Sequence, residues 1–146
     1  MIRYEGVIEA PIVRERFYAT VNDPQRVIGF LPDLVESKVV DADHFTVKAR
    51  VGAGPMRGTL DFAFETHEKT PGLGLELKGR GKGMQSMVNL TLTMTFEDRP
   101  GGSAAKWVAE AELGGLLASL GGRLIDGIAS KYVQQITENI RKEVSK

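Results

Sequence analysis

Between Val88 and Phe96 the chain reads VNLTLTMTF, with an apolar residue at every second position and a polar one between. A helix cannot separate residues at a period of two, whereas a pleated strand sends them to opposite faces. The stretch predicts a strand over Met84 to Glu97. Val88, Leu90, Leu92, Met94 and Phe96 are dry, and Asn89, Thr91, Thr93 and Thr95 are wet. One-sided alternation belongs to an antiparallel sheet whose dry face needs a cover.

The same signature recurs over Ile2 to Ala10, Leu34 to Ala42, His44 to Val51, Met56 to His67, Leu73 to Arg80 and Ala104 to Glu112. Two segments break it. In PIVRERFYATVND, Val13, Phe17 and Val21 recur four apart behind Pro11, which predicts a short helix. PQRVIGFL predicts a second, closed before Pro32. From about Gly115 to Val144 the period becomes helical, with Leu117, Leu124, Ile125, Ile128, Ala129, Tyr132, Val133, Ile136 and Ile140 on one face. That helix would be roughly 43 Å long, the one element large enough to cover the sheet. The expected fold class is α+β in one domain, residues 1–146: strand, two short helices, six strands, long helix.

In such a meander successive turns alternate between the two ends of the sheet. One end collects DAD, THEKTPG and EDRPGGS, which are polar and mostly acidic. The other collects LPDL, VGAGPMRG, GRGKGM and LGGLL, rich in Gly, Met and Leu, with Arg57, Arg80 and Lys82 among them. Apolar residues rimmed by cations at one end are expected to form a binding mouth. Gly6, Ala49, Ala53, Ala105, Ala109 and Ala111 fall on the inward face beside Phe62, Phe64, Leu90 and Trp107. So many small inward residues either bring the helix close or leave volume for a ligand.

Several functions are disfavoured. Formal net charge is zero, which gives no support to nucleic-acid binding. Without cysteine there is no disulfide, thiolate nucleophile or thiolate metal site, and a cytoplasmic location is expected. MIRYEGVIEA carries glutamates where a signal peptide would be apolar. The apolar run Leu113 to Gly122 meets Arg123 and Asp126 too early to span a bilayer, although contact with a membrane surface is compatible with it. His44 and His67 fall at the polar end without a second ligand at metal spacing. Asp61, Glu65, Glu110 and Glu112 fall on the wet face, and Ser119 has no partnered His or Asp. GRGKG lacks the spacing of a phosphate loop and lies between strands. No metal or cofactor is expected.

NDPQRVIGFLPDL, GAGPMRGTLDFAFE and above all GGLLASLGGRLIDGIA resemble the carbon monoxide dehydrogenase G subunit (CoxG) group of the START-like, helix-grip superfamily. The resemblance extends over nearly the whole chain. It implies a curved seven-stranded antiparallel sheet gripping the long helix over a cavity that opens at the Gly- and Met-rich end. It also implies an apolar, lipid- or quinone-like ligand. The partner it implies is a molybdenum hydroxylase such as carbon monoxide dehydrogenase, with contact at the inner face of the membrane. Many members carry a further C-terminal extension suited to membrane attachment; this sequence stops at Lys146, so a self-contained anchor is not expected.

The expected mouth is Phe30, Leu31, Met56, Met84, Leu116, Leu117 and Leu120, and the expected walls are Val47, Phe62, Leu90, Trp107, Ala109 and Leu124. Arg57, Arg80 and Lys82 would address a headgroup, an anionic membrane or a partner protein. The expected function is non-enzymatic carriage of a hydrophobic molecule. The alternatives are a ligand-free docking or maturation factor and a cyclase- or hydrolase-like enzyme of the same superfamily.

Overall fold

The structure is a computed structural model that describes the chain except residues 54–55 and the side chains of Ala53 and Met56. Its elements run β1 (Ile2–Ala10), α1 (Arg14–Val21), α2 (Pro24–Phe30), β2 (Leu34–Val39), β3 (His44–Ala53), β4 (Met56–Thr70), β5 (Gly74–Gly83), β6 (Ser86–Arg99), β7 (Gly102–Gly115), a 3-10 turn (Ala118–Leu120) and α3 (Gly122–Val144). All pairings are antiparallel, in the order β1-β7-β6-β5-β4-β3-β2. The order of elements matches the sequence expectation.

Local chemistry sets the boundaries. Asp23 caps α2 by accepting from the Gln25 backbone N–H at 3.0 Å, and Pro24 stands first in the helix, where its missing N–H is harmless. β2 stops at Val39 rather than Ala42, because the Asp41 carboxylate accepts the Asp43 N–H at 2.8 Å and closes a turn. β5 continues to Gly83, beyond the expected Arg80. Its hairpin to β6 turns at Met84 and Gln85, both left-handed with φ 57° and 54°. The long helix starts at Gly122, not Gly115: left-handed φ values at Gly115 (73°) and Gly121 (90°) break the path on either side of the 3-10 turn. Leu117 therefore precedes the helix, and α3 is roughly 35 Å long.

Among the described residues the dry face carries three clusters rather than one continuous core. Ile8, Phe17, Tyr18, Phe96, Trp107, Ile140 and Val144 join α1 and the end of α3 to β1, β6 and β7. Phe45, Val47 and Phe64 pack beneath α2. Leu60, Val88 and Leu117 close the opposite end. A small domain usually forms one contiguous core. Here the clusters surround a space.

Candidate binding cavity

Strand β6 reveals that space. Its inward residues at the ends, Val88, Met94 and Phe96, are buried, whereas Leu90 and Leu92 at its centre are only half-buried. A central strand beneath a helix should be driest in its middle, and the reversal marks a hollow. The hollow is a cavity of about 340 Å³ between the sheet and α3. Leu77, Leu90, Leu92, Phe62 and Trp107 form its sheet side, and Ile128, Val133 and Ile136 its helix side. Small residues make the room: Ala49, Ala109 and Ala111 all border it.

Two flat walls depend on absent side chains across the strand. Phe62 and Phe64 stack at 5.4 Å between centroids, and Phe64 stacks on Phe45 at 4.9 Å. The rings of Phe62 and Phe64 cover Gly81 and Gly79 of β5, where a Cβ would fall 2.5 Å and 2.4 Å from ring carbons. On β7 the Trp107 ring lies over Gly6 in the same way. Gly6, expected to leave volume, instead allows close approach of a ring. Ala105 is fully packed and contributes no volume.

Among the described residues the walls offer no inward ion. Arg50 and Glu110 border the cavity but alternate with inward Ala49, Val51, Ala109 and Ala111, so their side chains leave by the outer face. The hydroxyls on the helix side are already engaged. Tyr4 donates to Asp126 and lies 3.4 Å from Ser130 Oγ, Tyr132 donates to the Arg50 carbonyl at 3.3 Å, and Thr137 to the Val133 carbonyl at 2.8 Å. Burial pushes the Tyr4 and Tyr132 hydroxyl pKa values upward, and the Asp126 carboxylate adds to the effect at Tyr4. The Trp107 indole N–H is buried and unpartnered among the described residues.

Of the expected site residues, Leu31, Val47, Phe62, Leu90, Trp107, Ala109 and Leu117 border the cavity. Phe30 does not: it faces the first cluster, and its carbonyl accepts from Asn139 at 2.9 Å. Met84 packs at the edge of the third cluster, and its thioether lies over Gly58. Leu124, expected as a wall, is 39% exposed. It lies with Leu120, Arg123 and Lys131 along a shallow groove at the start of α3, which meets the cavity lining at Ile128. Leu116 is exposed too. The helix register is the cause: with α3 starting at Gly122, Ile125 rather than Leu124 points inward. The side chain of Met56 lies outside the described residues. Arg80 and Lys82 belong to β5, not to a loop, and stand on the outer face of the sheet with Arg57.

Sequence reasoning missed Leu77, Leu92, Val133 and Ile136 as lining residues. All four lie on faces it had marked apolar, but alternation alone does not distinguish a filled position from a hollow one. Among the described residues no cluster of His, Asp and Glu could hold a metal, and no helix is long and apolar enough to cross a membrane.

A curved antiparallel sheet gripping one long helix over an apolar cavity defines a helix-grip protein of the START-like class. A conserved protein from Geobacillus kaustophilus has this fold at TM-score 0.84 and 20% identity, over 98% of this chain and 95% of its own. A START superfamily protein from Mycobacterium smegmatis gives 0.72 at 7% identity, over 97% and 96%. A protein from Thermus thermophilus gives 0.67 at 16% identity, over 98% and 95%. No curated protein matches the sequence. Residues 6–145 match the family described as the carbon monoxide dehydrogenase G subunit (CoxG), and the chain belongs to that family. Family and fold together suggest a ligand-binding or accessory role.

Proposed function

We propose that the protein is a non-enzymatic carrier that holds a lipid- or quinone-like molecule in the cavity beneath α3. It would serve as an accessory to a molybdenum hydroxylase such as carbon monoxide dehydrogenase. The observation that carries the first half is the half-buried centre of β6, Leu90 and Leu92, above an apolar cavity of about 340 Å³. That volume lies at the small end of ligand pockets, which run about 300–1,000 Å³. It suits a ring or a short apolar segment rather than a whole two-chain lipid. Burial of apolar ligand surface yields about 25 cal/mol per Å², so the site needs no inward charge. Phe62 and Trp107 offer flat surfaces for ring stacking. Leu116 and Leu124 are exposed, Leu124 in a groove with Arg123 and Lys131, and would meet the membrane from which such a molecule is taken up. Membership in the CoxG family supports the accessory half.

Organic extraction of the purified protein followed by mass spectrometry tests the reading. A hydrophobic molecule should be recovered from the wild type and lost from Ala109→Trp, in which the new ring occupies the cavity. Equal recovery from a correctly folded Ala109→Trp protein would overturn it. A second reading, docking without a ligand, draws on the exposed Leu116, Leu124 and Met87. It predicts that partner binding survives Ala109→Trp and fails in Leu116→Ser with Leu124→Ser.

A further inference from the structure

The outer face of the sheet carries its charge unevenly. Toward the Gly52, Arg57 and Gly83 ends of β3, β4 and β5 the outward positions hold Lys48, Arg50, Arg57, Arg80 and Lys82, whereas Glu65, Glu76 and Lys78 share the outer face farther along. Lys82 stands directly across from Asp61, and Asp61 from Lys48. Glu36 on β2 also faces Lys48. Two carboxylates thus meet five cations in this patch. Lys48–Asp61, at 3.9 Å, is its one ion pair among the described residues. Cross-strand neighbours lie about 4.8 Å apart and alternate residues along a strand about 6.8 Å apart, so the array sits on a rigid lattice. The neighbouring part of the same face, on β7 and β1, is acidic on balance: Glu5, Glu9, Glu110 and Glu112 stand outward there with Arg3 and Lys106.

We propose that this patch, centred on Arg80 and Lys82, docks an acidic face of a partner protein. The inference does not depend on what the cavity holds. Charge complementarity favours a protein over other polyanions. A bilayer or a nucleic-acid duplex presents negative charge across its whole extent and would press on Glu110 and Glu112 as well. A protein can offer carboxylates over β3–β5 alone. The positions between the cations are filled by Thr46, Thr59 and Ala63, none of which would insert into a membrane. Met87, beside Lys82 and 49% exposed, lies over Gly114 at the border of the patch. Methionine is enriched at protein interfaces, and Met87 adds an apolar contact at the edge of the cations.

The test uses the full chain and three probes: a fluorescein-labelled oligoglutamate peptide, vesicles of equimolar phosphatidylcholine and phosphatidylglycerol, and a short DNA duplex. The peptide should bind at low salt and weaken roughly tenfold or more in Arg80→Glu with Lys82→Glu, whereas Lys142→Glu on α3 should bind as wild type does. Carbodiimide coupling should join peptide carboxylates to Lys48 and Lys82, a readout that needs no variant to fold. Equal affinity of wild type and charge-reversed protein would overturn the proposal. So would cross-links confined to α3, or tighter binding of vesicles or duplex through the same two residues.

Discussion

Trp107 and Gly6 face each other across the β1–β7 pair, and the indole ring takes the place where a Gly6 side chain would be. A Cβ on Gly6 would fall 2.8 Å from the ring. Gly6→Ala should therefore push the ring toward the cavity, and forced overpacking of this kind destabilises by about 1–3 kcal/mol. Urea denaturation should show the loss. Because this is the sole tryptophan, its emission should shift as well.

The glycine pair on β5 makes a sharper test of cavity shape. Gly81→Val should displace Phe62, and Gly79→Val should displace Phe64, which also loses its stack on Phe45. Both variants should take up less of a hydrophobic fluorescent probe than wild type. Gly79→Val should lower the melting temperature more, because Phe64 is the more deeply buried ring.

Helix α3 is anchored unequally. Ile140 and Val144 join the first cluster at its C-terminal end, whereas Ile125 is the one buried residue in its first half. Ile140→Ala should cost about 2–5 kcal/mol, as core truncations do. Leu124→Ala, at an exposed position, should stay within about 0.5 kcal/mol. Hydrogen exchange along α3 should be faster before Tyr132 than after Ile136.

His44 provides a pH signature. Its imidazolium donates to Asp41 at 2.8 Å, and that hydrogen bond raises its pKa above the ordinary histidine value, helped by the nearby Asp41, Glu65 and Asp43 charges. The contribution to stability is complete below the unfolded pKa, about 6.5, and fades as pH rises through the higher folded value. Proton NMR titration should place the His44 midpoint above 6.5, and Asp41→Asn should bring it down.

Alternation in segments such as VNLTLTMTF and LDFAFE made the meander legible, because a period of two has one structural meaning when repeated. The parity of turns placed the end of β3, the end of β5 and the entry to α3 at one end of the sheet, as the strand pairing has them. The limit of legibility is clear at Leu124 and Ile125. Both are apolar and one residue apart, and which faces inward depends on where α3 starts. The start is set by the left-handed Gly121, whose conformation no periodicity announces. Arg80 and Lys82 went to the outer face for a similar reason: a left-handed pair, Met84–Gln85, made the turn and left the glycines of GRGKG inside a strand.

The glycines of GGRLIDG have a practical meaning for anyone building on this scaffold. A Cβ placed on Gly122 or Gly127 would meet nothing within 4 Å, so neither residue is there to let the helix approach the sheet. Alanine in a helix interior is favoured over glycine by about 1 kcal/mol, and Gly127→Ala should raise the thermal midpoint accordingly. The stiffness of the roof can thus be tuned by exchanging Gly127, a residue that is not among those lining the cavity. Capacity and rigidity become separate design variables, one set on the sheet and the other on the helix.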